Sequence, residues 1–328
     1  MPTVSVIMPM KNGEDYVADA LQSIVNQDLA DIEVIVIDDG SSDSSVAIAK
    51  KIGERDGRLK IVANPGSGIV DALNAGISLA EAPLLARMDC DDVSMPDRLR
   101  LQVERFDANQ ELLLLGTAGI CIDSESRETG AIEVPQESAH IRDALLKHNP
   151  MLHPTTMFRA APMRRVGGYR RAFTFAEDYD LWTRFSELGQ LANMGERLVK
   201  LRTHSAQTSK IRRNRQKAAA ALVRQAAALR RLHAEPFDAD GSAEDAIKSF
   251  LLWRAGQGHG IDSNERRDIE LLLRTPGVSA ALTRKVLSLG MIDAPLLRTV
   301  TLGLRLAWHR LAARRTDRHV PATGRKQA

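Results

Sequence analysis

The chain has 328 residues, 44% hydrophobic and 27% charged, which suits a globular protein of one large or two ordinary domains. Aromatic residues make up only 4%, which argues against a stacking surface for single-stranded nucleic acid, and no apolar run nears the ~20 residues of a membrane span. The net charge of +3 hides an imbalance, with 23 Lys and Arg against 31 Asp and Glu in residues 1–210 but 22 against 11 in residues 211–328, so two modules with different partners are expected.

The chain opens on the strand-like Val4-Ser5-Val6-Ile7-Met8, so no leader peptide is expected. Two cysteines, Cys90 and Cys121, make no disulfide framework and fit a reducing cytoplasm. Residues 3–9 read as a strand closed by Asn12-Gly13, and Glu14 to Gln27 carries a helical apolar period. A second strand, 32–38, ends in Asp39-Gly40-Ser41-Ser42-Asp43, a turn that also caps a helix from Ser44 to Glu54. Strand 59–62, a Gly-rich loop at 64–68 and a helix from Ile69 to Glu81 follow. The apolar run 82–86 is a fourth strand, residues 96–109 a helix, and Leu112 to Leu115 another buried strand. This alternation predicts a mostly parallel sheet with helices on both faces. Short strands and turns are expected over 117–135, a helix from Ser138 to Lys147, extended chain from Pro150 to Arg159 and a turn at Gly167-Gly168. A helix from Asp178 to Leu188 and a last strand from Arg197 to Arg202 complete this part. Beyond Ile211 the pattern is all helix, over 217–231, 243–255, 264–274, 280–287 and 295–315, and the polar tail from Thr316 is expected to be disordered.

The chemistry concentrates in Arg87-Met88-Asp89-Cys90-Asp91-Asp92, directly after the fourth strand. In open α/β sheets ligands sit beyond the carboxyl ends of the strands, so three carboxylates stand where a ligand belongs. Crowded carboxylates repel unless a cation joins them, and oxygen ligands suit Mn²⁺ or Mg²⁺. An Asp-rich loop that only caps the next helix would need Asp92 or Ser94 alone. After the first strand, Pro9-Met10-Lys11-Asn12-Gly13 lacks the Gly-x-Gly-x-x-Gly of a dinucleotide site, which argues against an NAD enzyme.

Taken together the motifs resemble a known family. Val4 to Asp43, ending in Val-Ile-Asp-Asp-Gly-Ser-Ser-Asp, resembles the nucleotide-binding half of family 2 glycosyltransferases of the GT-A fold. Asn64-Pro65-Gly66-Ser67-Gly68 with Ala72-Leu73-Asn74-Ala75-Gly76 is similar to its next segment, and Asp89-Cys90-Asp91 to its Asp-x-Asp region. His153-Pro154-Thr155 and Val166-Gly167-Gly168-Tyr169 are similar to its acceptor-side segments, Ala176-Glu177-Asp178-Tyr179-Asp180-Leu181-Trp182 to its Glu-Asp motif, and Leu201-Arg202-Thr203-His204 to its closing strand.

The resemblance implies a GT-A catalytic domain, a Rossmann-like mixed sheet, over residues 1–210 and an all-helical C-terminal region over 211–328. It implies metal-dependent, inverting transfer of a sugar from a nucleoside-diphosphate sugar, by family habit a UDP-sugar, to a glycan or lipid-linked acceptor in cell-surface polysaccharide or glycoconjugate synthesis. Pro9, Lys11 and Asp39 would hold the base, and Asn64, Gly68 and Arg87 would line the ribose and phosphate path. Asp89 would touch ribose or sugar, Asp91 would hold Mn²⁺ or Mg²⁺ with His204 as a further ligand or diphosphate contact, and Asp178, with Glu177 beside it, would be the general base.

Other readings of the same residues stay open. Glu177, Asp178 and Asp180 also make an acidic first turn that the helix dipole favours, and His204 also suits a structural role. Asp89-Cys90-Asp91-Asp92-Val93 also reads like the nucleophile loop of haloacid dehalogenase-type phosphatases, although that loop follows a domain's first strand. A non-catalytic adaptor at a membrane surface is a further alternative. The helix Leu297–Arg315 puts Leu297, Val300, Leu304, Trp308 and Leu311 on one face among arginines, which suits peripheral binding to an anionic membrane. Arg212 to Lys217 is a basic cluster with no folded nucleic-acid module beside it, so nucleic acid is not an expected partner.

Overall fold

The structure is a computed structural model and describes residues 1–204, 213–231, 240–256, 263–273 and Thr275. Its first half alternates as the apolar pattern predicts: β1 (Val4–Met10), α1 (Val17–Val25), β2 (Ile32–Asp38), α2 (Ser45–Gly53), β3 (Leu59–Ala63), α3 (Ile69–Leu79) and β4 (Leu84–Arg87). All seven residues of β1 are buried, because helices cover both faces of a central parallel strand. β1 pairs in parallel with β2 and β4, and β2 with β3, so the carboxyl ends of four strands open on one edge. Helix α1 starts three residues later than its apolar period suggests. The Tyr16 and Val17 N–H groups close a turn on the Gly13 carbonyl, and the Glu14 carboxylate is taken by the Ser44 N–H.

Beyond β4 the sheet becomes mixed. The later elements are β5 (Val93–Ser94), α4 (Arg98–Ala108), β6 (Leu112–Ile122), β7 (Glu128–Ile132), α5 (Ser138–Leu145), β8 (Met157–Arg159), α6 (Ala160–Arg165), α7 (Glu177–Ser186) and β9 (Gln190–Arg202). The sheet order is β3-β2-β1-β4-β8-β6-β9-β5, with β7 beside β6. β8 lies antiparallel to β4 and β6, β5 antiparallel to β9, and β6 parallel to β9. Parallel pairing thus holds through β1–β4 and recurs between β6 and β9, and the whole is the mixed sheet that the resemblance implies. Both β6 and β9 outrun their apolar patterns. Gly116, Thr117 and Gly119 dilute the β6 run, yet pairing with β9 carries it to Ile122. In β9, Gly195 and Glu196 are skipped between the pairs Thr117–Met194 and Ala118–Arg197, which hides the strand from a period-two reading.

The C-terminal elements described are α8 (Arg213–Arg231), α9 (Ala243–Gly256) and α10 (Ser263–Leu273). Two compact units divide the chain, Met1–Ala246 and Ile247–Ala328. The first holds the sheet and also α8, which buries Ala218, Ala219, Ala221, Leu222, Val223 and Ala226 and packs along α7. In the second, the Arg254 guanidinium pairs with Glu265. The helices expected at 280–287 and 295–315 and the tail from Thr316 lie outside the described residues. No described helix is long and apolar enough to cross a membrane.

Candidate active site

The loops after β1, β2 and β3 meet around one carboxylate. Asp39 Oδ1 accepts from Asn64 Nδ2 at 2.7 Å and from the Gly68 N–H at 2.8 Å, while Lys11 Nζ lies 2.9 Å from Oδ2. Burial alone would raise the Asp39 pKa, but these three donors outweigh it and hold the carboxylate below its ordinary range. Gly68 has φ +84°, a conformation open to glycine, and it begins α3 with its N–H turned back toward Asp39. Pro9 sits within β1, buried and paired in register with Ile37. Thus Lys11, Asp39, Asn64 and Gly68, far apart in sequence, form one polar wall.

The β4 end supplies the acidic cluster. Oxygen atoms from Asp89, Asp91 and Asp92 lie within 4.8 Å of one another. Burial, and then the charge of Asp89, raises the Asp91 pKa; the same causes and Asp91 push Asp92 well above the ordinary range. The cluster therefore carries more negative charge than its surroundings neutralise, and its hard oxygen donors fit Mn²⁺ or Mg²⁺. His204 Nε2 lies 2.9 Å from Asp91 Oδ2, and the Arg202 N–H donates to Asp92 Oδ1 at 2.8 Å, so β9 clasps the loop from its far side. Cys90 faces inward against Gly13, and burial followed by the charges of Asp91 and Asp89 pushes its thiol up to about 12. It is a packed spacer. Arg87 is buried and pairs with Asp89, while its Nε and Nη1 have no hydrogen-bond partner. A buried guanidinium with two unsatisfied donors is costly, and a bound anionic ligand would relieve that cost.

Three acids share the first turn of α7, and their surroundings separate them. Asp180, fully buried, would be raised by burial, but Arg184 and Arg170 reverse this and hold it low. Glu177 is pushed up to about 7 by burial and then by Asp178. Asp178 is raised by burial, although it accepts from Asn149 Nδ2 and the Tyr179 N–H, both at 2.7 Å. Helix-dipole capping would treat all three alike, so it does not account for this split. Beside them His153 Nε2 meets Tyr169 Oη at 2.8 Å; burial, then the Arg87 charge, keeps the imidazole neutral. Asn74 on α3 fixes the Tyr169 backbone, taking its N–H at 2.9 Å and donating to its carbonyl at 2.8 Å. Trp182 is fully buried among His153, Phe158 and Phe185 and serves the core.

The family model Glycosyl transferase family 2 matches residues 5–167. The glycosyltransferase EpsE of Bacillus subtilis is 35% identical over 209 residues, spanning 62% of this chain and 74% of the relative. The chain belongs to glycosyltransferase family 2. The O-antigen biosynthesis glycosyltransferase WbnJ of Escherichia coli is 32% identical, over 63% of this chain and 82% of its own length. The fold of this family 2 enzyme matches the 1–349 segment of TarS from S. aureus, solved with UDP-GlcNAc, with TM-score 0.60, 16% identity and coverage of 94% and 92%.

Membership removes the phosphatase and adaptor alternatives, and the acidic loop follows β4 rather than the first strand. Asp92 belongs, as the sequence reading has it, to the three-carboxylate run, but two other residues of this family 2 enzyme's site escaped that reading. Arg202 stands in a motif with no role attached, and Asn149, which touches Asp178, lies in a segment without any local signal.

Proposed function

We propose that this enzyme moves a sugar from a nucleoside-diphosphate sugar, of the uridine class, to a hydroxyl of a glycan or lipid-linked acceptor, inverting the anomeric carbon. The observation that carries the reading is the grouping of Asp89, Asp91 and Asp92 at the end of β4 beside the buried, under-partnered Arg87. The UDP-GlcNAc in the TarS complex supports the uridine class, and the O-antigen role of WbnJ supports a surface glycan as acceptor.

In this reading Pro9, Lys11, Asp39, Asn64 and Gly68 hold the nucleoside. Arg87 donates to the phosphates, and Asp89 meets the ribose or sugar. Asp91, with Asp92 and His204 beside it, holds Mn²⁺ or Mg²⁺. When bound, such an ion acts as a Lewis acid on the charge that builds on the departing nucleoside diphosphate. Asp178 takes the proton of the acceptor hydroxyl as its oxygen attacks the anomeric carbon, and Glu177 lies next to it as the second carboxylate. Work at the cytoplasmic face of a membrane, through Leu297–Arg315, belongs to the same reading and rests on sequence alone.

Thermal stabilisation by UDP, GDP, TDP and CDP, each with and without MnCl₂, tests it. A ligand that binds only the folded state raises the apparent melting temperature. UDP is expected to do so in a Mn²⁺-dependent way, and Asp91→Ala to lose the Mn²⁺-dependent part. A flat panel, or a full shift in Asp91→Ala, would reject the assignment.

A further inference from the structure

Charge sets residues 211–328 apart from the acidic remainder, yet the first helix of that stretch lies against the helix that carries Glu177 and Asp178. Five alanines of α8, at 218, 219, 221, 226 and 227, are buried, so its backbone can approach closely and its long basic side chains reach around the contact. Three of those side chains touch three segments next to the two acids. Arg215 lies 5.8 Å from the ring centroid of Phe175, whose N–H donates to Glu177 Oε2 at 2.8 Å from a backbone at φ +80°. Arg224 Nη1 donates to the Lys147 carbonyl at 3.3 Å, two residues before Asn149, the amide partner of Asp178. Arg230 Nη2 donates to Thr183 Oγ1 at 2.6 Å, its Nε to Glu187 at 3.1 Å, and its Nη1 lies 3.9 Å from Asp180. Thr183 in turn donates to the Asp180 carbonyl at 2.8 Å.

We propose that α8 belongs to the catalytic apparatus: Arg215, Arg224 and Arg230 brace the segments that orient Glu177 and Asp178, and Arg230 is a positioning residue for proton removal. The proposal rests on Asp178 being the base. Its physical basis is tolerance. A base oxygen must sit within about 2.6–3.2 Å of the hydroxyl oxygen whose proton it takes, and a misplacement near 1 Å costs roughly 100-fold. Phe175 is a non-glycine residue in a left-handed conformation, which persists only where neighbouring contacts impose it. The Arg215 contact is such a neighbour. Arg230 donates to Thr183 on α7 and to Glu187 just past its end, lies 3.9 Å from Asp180 and has only 12% of its side chain exposed, so it is a fixed strut rather than a surface charge. Nucleotide binding is assigned to loops at the ends of β1 to β4, whereas the contacts of Arg215, Arg224 and Arg230 given above fall on Phe175, Lys147, Thr183 and Glu187.

The test compares full-length wild type with Arg230→Ala, Arg230→Lys, Thr183→Val and Asp178→Asn. For each, kcat, donor KM, UDP affinity with Mn²⁺ and melting temperature are measured. Arg230→Ala is expected to lose at least tenfold in kcat while donor KM and UDP affinity stay within twofold, with Arg230→Lys recovering part of the loss. Turnover within twofold of wild type, or kcat and UDP affinity falling together, overturns the proposal. Should Arg230→Ala not fold, Thr183→Val decides in the same way, by lowering kcat alone or leaving it unchanged. Full turnover in Asp178→Asn beside a slow Arg230→Ala would reject the base and retain the hold of α8 on turnover. An inactive Asp178→Asn beside a normal Arg230→Ala would reject the brace alone.

Discussion

Asp39 and Glu177 stand in the same compact unit, each at the end of a regular element, and their surroundings drive them in opposite directions. Asp39 collects a lysine, an amide and a backbone N–H, and burial cannot keep it from ionising easily. Glu177 receives one backbone N–H from Phe175 and faces a second carboxylate, and it rises to about 7. The nucleotide end is a wall of donors already aimed, which lowers the cost of ordering a ligand. At the base end burial, and for Glu177 the neighbouring carboxylate, outweigh the donors that Glu177 and Asp178 meet, and both are lifted.

The sharpest way to break this contrast is Asp178→Asn. It is expected to cut kcat by roughly 10²–10⁴, the range for a general base, with UDP affinity in the presence of Mn²⁺ unchanged by calorimetry. Wild-type turnover would show that the lifted pair at α7 does no proton work.

A pH profile probes the same pair with a smaller effect. Ionised base is required, so kcat should fall about tenfold per pH unit once pH drops below the Asp178 pKa, which burial raises above its ordinary range. Stability moves the other way for Glu177 beside it. Its folded pKa lies above the ordinary 4.5, so its contribution is full below that pH and is lost as pH rises through about 7. Asp39 and Asp180, held low, give up stability only as pH falls below their ordinary 3.8. Activity should therefore decline as pH falls toward the ordinary carboxylate range while the melting temperature holds or rises, and parallel decline of both would refute the assignment.

At the nucleotide end the smallest effect is expected. Lys11→Ala removes an ion pair whose lysine is 57% exposed, so solvent screening limits the loss of unfolding free energy in urea to about 1 kcal/mol or less. A much larger loss would mean that Lys11 holds the loops together rather than waiting for a ligand.

The nucleotide end was also the more legible one. Lys11, Asp39, Asn64 and Gly68 each follow a short, strongly apolar strand, and in a parallel sheet such strand ends converge on one edge by construction. The base end was legible only in part. Glu177 and Asp178 stand out as acids at a helix start, but Asn149 reaches Asp178, and Arg230 approaches Asp180 in the same turn, from segments whose composition says nothing of either contact. Likewise β9 is broken by Gly195 and Glu196, so the pattern shows only its end, from Arg197 to Arg202.

By itself the sequence determined the elements of the first half, the order of the strand-end motifs and the acidic character of the loop after β4. Those features depend on residues a few positions apart, where periodicity, turn chemistry and charge act directly. Only the tertiary structure decided that β8, β6 and β9 in that order carry the sheet past β4, that the Arg202 N–H and His204 close on Asp92 and Asp91, and that a basic helix counted with the C-terminal region packs on α7. Each of these is a pairing between segments distant in sequence. Such pairing is selected by burial and by satisfying polar groups across the whole unit, and no local pattern records it.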